Sequence, residues 1–143
     1  MAMKAFKLGC YLAFFTAALH MIGAHIVPAF SPAVPSNDFE RQMLELMQTV
    51  KLGLPGAPDR TMFELMNGFS LLMSLHFALT GGIGIIIARR GVGDALLMKA
   101  VARTFAATYI IAFVISLMDF FVIPSACAAA VALAFTIASV KKM

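Results

Sequence analysis

Apolar residues along the chain are gathered into four long blocks that carry almost no charge. Asp, Glu, Lys and Arg are absent from residues 8–30, 65–88 and 125–140, and residues 104–123 contain only Asp119. A helix that crosses the hydrocarbon core of a bilayer needs roughly 20 apolar residues. The pattern therefore predicts an all-α integral membrane protein, a four-transmembrane-helix bundle whose spans cover about residues 6–28, 62–88, 100–123 and 125–140.

The connection between the first two spans carries a helical pattern of its own. Apolar residues recur on one face of a 3.6-residue period, at Phe39, Met43, Leu46, Met47 and Val50. Asn37 stands where a helix cap is expected. We predict a short amphipathic helix at about 38–52 in the outer loop, with its apolar face toward the membrane. The second span opens on a capping box of Thr61 and Glu64, and residues 1–143 form a single four-span membrane domain.

Composition agrees with a membrane location. The chain is 62% hydrophobic and 13% charged, with a mean hydropathy of +0.93, so it has too little charge to coat a soluble domain. One set of span ends carries eight basic residues and one acidic residue, Asp94. The basic residues are Lys4, Lys7, Arg89, Arg90, Lys99, Arg103, Lys141 and Lys142. Basic residues near span ends stay cytoplasmic, so both termini are predicted to be cytoplasmic, with the chain in the cell (inner) membrane. The basic residues are scattered over helix ends, and no nucleic-acid partner is predicted.

Few ionisable side chains lie within the spans, and such residues point to function because they are costly in hydrocarbon. With ~1.5 Å of rise per residue, His20, Asn67, Ser116 and Asp119 fall ~6–10 Å below the outer surface, and His76 and Tyr109 ~20 Å below it. We predict an outward-opening polar pocket formed by His20, Glu64, Asn67 and Asp119. Arg60 would roof it, and the deeper residues would extend it. Each member also has a structural interpretation, such as a helix cap for Glu64 or a packed aromatic for Tyr109.

The histidines and methionines raise two metal interpretations. Bis-histidine haem requires two histidines at one height, whereas His20 and His76 differ by ~10 Å in estimated depth. Copper binding by His20, His25, Met43 and Met47 is a weaker alternative, since thioethers suit Cu(I) but methionines in an apolar chain mostly fill gaps. No metal and no cofactor is predicted.

Several short motifs follow one another over about residues 10–85. They are His20-Met21-Ile22-Gly23, a Pro-containing linker, a helix with Met43 and Met47, and then Gly56, Arg60, Glu64 and Gly68-Phe69-Ser70. In these motifs the chain resembles a family of small bacterial four-transmembrane-helix membrane proteins that has no established activity. The resemblance implies the architecture and points to His20, Arg60 and Glu64, and it implies no reaction.

Three functions are compatible with these patterns. The first is an accessory or scaffolding subunit, or a binder of a lipid-soluble small molecule, because no catalytic motif is recognisable. The second is a membrane enzyme that performs acid–base chemistry on a lipid, sterol-like or quinone substrate with His20, Glu64 and Asp119. The third is a small transporter. The expected partners are the lipid bilayer, a second copy or a larger membrane complex, and a lipid-soluble ligand.

Overall fold

A computed structural model describes the chain except for residues 33, 54–57, 91–93, 120–121 and 142–143. Nearly all of the described residues are helical. The elements in chain order are α1 (Ala2–Met21), a π-helical turn (Ile22–Ile26), α2 (Val27–Phe30), α3 (Asp38–Thr49), β1 (Lys51–Leu52), β2 (Arg60–Thr61), α4 (Met62–Arg90), α5 (Ala95–Asp119) and α6 (Val122–Val140).

Four helical stretches are long and apolar enough to cross a bilayer: Ala2–Phe30, Met62–Arg90, Ala95–Met118 and Val122–Val140. Their mean hydropathies lie between 1.6 and 2.0, and many of their large apolar side chains are exposed on the isolated chain. Such surfaces suit hydrocarbon and are avoided in water. The chain is thus an all-α protein of the multi-pass membrane type.

Three helix boundaries differ from those expected of the sequence, each for a local reason. The first helical stretch continues past Pro28 to Phe30, because a π-helical turn precedes the proline. The third long helix begins at Ala95 and not near residue 100, since the Asp94 carboxylate accepts a hydrogen bond from the Leu97 N–H (2.9 Å). The fourth begins at Val122, where Pro124 falls in the first turn and its missing N–H costs no hydrogen bond.

The segment between the first two long helices contains α3 and a small hairpin. Asn37 caps α3 as expected, because its side-chain oxygen accepts a hydrogen bond from the Glu40 N–H (2.9 Å). The helix ends at Thr49, three residues before the expected boundary, since Lys51 and Leu52 pair with β2 in antiparallel register. Residues 54–57, including Gly56 of the resemblance, lie outside the described part.

The structure divides into two compact units, residues 1–18 with 76–143, and residues 19–75. The first unit has an aromatic core in which neighbouring ring centroids lie 5.1–6.4 Å apart: Phe6, Phe77, Phe105, Tyr109 and Phe135. Within this unit α5 packs along α6. The second unit contains the end of the first long helix, α3, the hairpin and the start of α4.

Small residues allow helices of the first unit to approach closely. A Cβ added at Gly81 would lie 2.7 Å from the carbonyl oxygen of Cys10 and 2.9 Å from the backbone nitrogen of Phe14. A Cβ at Gly84 would overlap Cys10 Sγ, whereas a Cβ at Gly82 would have nothing within 4 Å. The contact face of α4 therefore carries Gly81 and Gly84.

Candidate functional site

The π-helical turn changes the direction of one histidine. In an α-helix two residues five apart differ by about 140° in direction, so His20 and His25 would face different sides. The turn at Ile22–Ile26 has the wider i→i+5 bond, donated by the Val27 N–H to the Ile22 carbonyl. Pro28 accounts for the turn, because it has no N–H to offer the carbonyl four residues earlier and its ring crowds that carbonyl. The extra residue brings His25 to the face that carries His20.

A hydrogen-bonded cluster joins these two histidines to Ser70 on α4. His20 Nε2 lies 2.8 Å from Ser70 Oγ, and His25 Nε2 lies 3.0 Å from the same oxygen. The two imidazole rings meet edge to face with centroids 5.8 Å apart. Ser74 donates its hydroxyl proton to the Ser70 carbonyl (3.3 Å). All three side chains of the His20–Ser70–His25 cluster are half-buried, so ligands from outside can reach it.

The proton count of the cluster determines its tautomers. A serine hydroxyl has one proton to donate and lone pairs to accept with. When both imidazoles are neutral, Ser70 therefore donates to one Nε2 and accepts from the Nε2–H of the other. The two rings must then be opposite tautomers, and protonation of the accepting ring would turn the Ser70 hydroxyl proton away.

The Ser70–His20 contact has the length of a nucleophile–base pair, but its surroundings do not suit acyl transfer. An oxyanion hole needs free backbone N–H groups or side-chain donors aimed at the reacting oxygen. Ser70 lies in the interior of α4, where backbone N–H groups bond within the helix. Among the described residues, no hydrogen bond or ion pair joins His20 to a carboxylate that would orient it as a general base.

Three of the predicted pocket residues line an open groove at the start of α4. Arg60, Glu64 and Asn67 form its polar end, and the groove of about 500 Å³ continues along Leu65, Gly68, Phe69, Leu71 and Leu72. Glu64 is held by the expected capping box, since it accepts from the Thr61 N–H (2.9 Å) and its own N–H bonds to Thr61 Oγ (3.2 Å). An Arg60 nitrogen lies 3.6 Å from the other Glu64 oxygen.

The remaining predicted residues lie elsewhere. His76 is exposed, with its ring centroid 6.0 Å from that of Tyr109. Tyr109 is fully buried in the aromatic core, and its hydroxyl, although near Thr80, forms no hydrogen bond among the described residues. Ser116 is buried where α5 meets α6, and its hydroxyl lies 2.9 Å from Ser125 Oγ, which in turn donates to the Ser116 carbonyl. Asp119 is the last residue of α5, and its side chain lies outside the described part.

The residues of the metal interpretation are also separated into two groups. His20 and His25 share the cluster with Ser70, whereas Met43 and Met47 lie on α3, the first exposed and the second half-buried. In the part of the chain that the structure describes, no three His, Cys, Asp or Glu side chains come together as metal ligands. A metal ion at the cluster would thus have two imidazoles and a hydroxyl as its protein ligands.

The cluster was not predicted from the sequence, because His25 was considered only as a copper ligand and Ser70 only as part of a short motif. One signal was present. Pro28 follows Ala24 by four residues, and a proline at this position disturbs the helix over the segment that separates the two histidines.

Comparison of the chain with family models, with curated proteins and with solved structures finds no match.

Proposed function

We propose that the protein is a multi-pass membrane protein that binds a lipid-soluble small molecule with an uncharged polar head group, and that it catalyses no reaction on it. The observation that carries this proposal is the groove at the start of α4, which has polar side chains at one end and apolar ones along the rest. A molecule dissolved in a bilayer has the same division into head and tail, so the groove offers matching chemistry at each end.

The charges in the groove favour an uncharged head. Arg60 and Glu64 lie within ion-pair distance and cancel each other, so a charged head would find no free counter-ion there. Asn67 is exposed and its amide makes no hydrogen bond to the described residues. An amide offers both donors and an acceptor, which suits a hydroxyl or a carbonyl head. Leu71 and Leu72 are 40% and 61% exposed, and they can contact an alkyl or isoprenoid tail.

The orientation in the membrane belongs to the same proposal. The eight basic residues at one set of span ends support cytoplasmic termini in a bacterial inner membrane. The groove and α3 would then lie at the outer side of a single four-span domain. The exposed apolar face of α3 supports a position in the outer interface, since it would otherwise remain in water.

Photo-crosslinking tests the groove. The probe is a long-chain fatty alcohol that carries a diazirine in its tail, added to the purified protein in lipid nanodiscs. We expect saturable labelling of the peptide that contains residues 60–72, competed by unlabelled fatty alcohol. Asn67→Leu should reduce labelling about 10-fold, because loss of one or two hydrogen bonds costs roughly 1–1.5 kcal/mol each.

Thr104→Val is the matched control, since Thr104 is an exposed polar residue of α5 and bonds to its own helix (3.1 Å to the Ala100 carbonyl). Its labelling should equal that of the wild type. Labelling spread evenly over all four long helices, or equally strong labelling of Asn67→Leu, would contradict the proposal. A fatty-amine or fatty-acid probe that labels better than the alcohol would contradict the uncharged head.

A further inference from the structure

We infer that the His20–Ser70–His25 cluster is a binding site for a divalent transition-metal ion of the Zn²⁺ or Cu²⁺ type. The inference is independent of the lipid-binding groove, because it rests on other side chains and on a different chemistry. Its starting point is the convergence of two imidazole nitrogens on one serine oxygen, at 2.8 and 3.0 Å.

The geometry suits a metal ion better than it suits a structural role. A tetrahedral ion with metal–nitrogen bonds of about 2.0–2.1 Å holds two imidazole nitrogens about 3.3 Å apart. Both Nε2 atoms lie within hydrogen-bond distance of Ser70 Oγ, at 2.8 and 3.0 Å, so they are at most the sum of these distances, 5.8 Å, from each other and face one point. Imidazole nitrogen is a preferred ligand of Zn²⁺, Cu²⁺ and Ni²⁺.

The distortion of the helix produces this convergence. Were residues 20–26 regular α-helix, His25 would lie about 140° around the axis from His20. The π-helical turn removes this offset, and such single-turn insertions are frequent at functional sites. If the histidines only had to satisfy their own polar atoms, a regular helix with one histidine against Ser70 would be enough.

Ser70 has a defined part in this site. Once a metal ion accepts both Nε2 lone pairs, the hydroxyl is released from the imidazoles. It then coordinates the ion or accepts a hydrogen bond from a metal-bound water. The two histidines must both be neutral with Nδ1 protonated, so binding displaces the Nε2 proton that one ring carries in the metal-free cluster. The site therefore leaves at least one coordination position open to water or to another ligand.

The test uses the full chain, purified in nanodiscs with a cleavable tag that contains no histidine. Titration with ZnCl₂ followed by calorimetry should give one site per chain. With one equivalent of Cu²⁺, electron paramagnetic resonance should show hyperfine splitting from two nitrogens. Binding should weaken as the pH falls below about 6.5, where free imidazole is protonated.

Four variants separate the site from other histidines and from misfolding. His20→Ala and His25→Ala should each abolish the two-nitrogen signal. Ser70→Ala keeps both imidazoles and should lower the affinity by about 10- to 100-fold, as supporting groups of metal sites do. His76→Ala, which changes an exposed histidine outside the cluster, should bind like the wild type.

The inference is overturned if the wild type shows no saturable binding, or if His20→Ala and His25→Ala keep the two-nitrogen signal. It is also overturned if His76→Ala loses as much affinity as they do. A variant counts only when it elutes as a single species and unfolds cooperatively. Ser70→Ala and His76→Ala keep the test decisive should the histidine variants fail to fold. Photo-crosslinking of the groove is scored separately, so either idea can fail while the other stands.

Discussion

At the scale of single residues, Gly81 and Gly82 are adjacent in sequence and have opposite surroundings. A side chain at Gly81 would meet backbone atoms of Cys10 and Phe14, which cannot rotate away, whereas Gly82 faces open space. The same contrast separates the two histidines of the cluster from His76. Residue type alone decides neither case, because what matters is which face of the helix the residue occupies.

Gly81→Ala is therefore expected to lower the free energy of unfolding by about 1–3 kcal/mol, the usual cost of overpacking a tight contact. Gly82→Ala is its matched control and should be neutral or more stable by up to about 1 kcal/mol, since alanine is the better helix former. Reversible unfolding of each variant in mixed micelles with increasing denaturing detergent measures both. Equal destabilisation by the two substitutions would contradict the close approach at Gly81.

The Glu40 carboxylate gives a pH-dependent prediction at the same scale. Hydrogen bonds from the Ser36 hydroxyl (2.5 Å) and the Ser36 N–H (2.7 Å) lower the pKa of Glu40 below its usual value. Because the pKa is lower in the folded state, this contribution is fully present above the unfolded pKa of about 4.3. It is lost as the pH falls through the lower folded value.

Protection of the α3 amides from hydrogen exchange, corrected for the intrinsic rate at each pH, should thus fall below about pH 4.3. In Glu40→Gln it should be lower at neutral pH and lose most of this pH dependence. Glu45→Gln is the control, because the Glu45 carboxylate makes no hydrogen bond to the described residues. A pH profile of Glu40→Gln equal to that of the wild type would show that the cap does not depend on the charge.

At the scale of elements, α3 has one face that nothing in its unit covers. Phe39, Met43 and Leu46 lie on this face and are 49–71% exposed, while Gln48 points to the opposite side of the helix. The chain has no tryptophan, so one introduced tryptophan reports on its own position alone.

We expect the fluorescence of Leu46→Trp to be blue-shifted and quenched by lipids that carry bromine high on the acyl chain. Gln48→Trp should emit as a water-exposed residue and be quenched several-fold less, because an interfacial helix buries only its apolar face. Equal quenching of the two variants, or none in either, would contradict an interfacial position of α3.

At the scale of the whole molecule, the chain has two units, and their boundaries fall within α1, at residues 18–19, and within α4, at residues 75–76. The first unit is held by aromatic and small-residue packing, and the second contains the polar cluster and the groove. The side of the membrane that each terminus faces depends on the entire chain, because successive spans cross the membrane in opposite directions.

Labelling with a membrane-impermeant maleimide tests the orientation in intact cells. In a background without Cys10 and Cys127, Ser36→Cys should react directly, since the outer connection carries few basic residues. Asp94→Cys should react only after the cells are permeabilised, because it lies in a connection flanked by arginines and lysines. Both positions are exposed, so burial does not explain a difference between them. The opposite pattern would invert the proposed topology.

The sequence by itself determined the helical class, the four long apolar helices and the capping residues Asn37, Thr61 and Glu64. These features depend on composition and on contacts within a few residues. The sequence also predicted that Arg60, Glu64 and Asn67 lie close together. Glu64 and Asn67 share one face of α4, Arg60 belongs to the strand that precedes this helix, and all three line the groove.

The tertiary structure alone decided which polar residues meet across helices. Ser70 is 50 residues from His20 and 45 from His25, and helical periodicity carries no information about such distant pairs. The π-helical turn also inserts one residue into the helix. The direction of the His25 side chain therefore cannot be calculated from the geometry of a regular α-helix. The burial of the Tyr109 hydroxyl was also decided by tertiary packing, because the rings that contact Tyr109 belong to two other helices, α4 and α6.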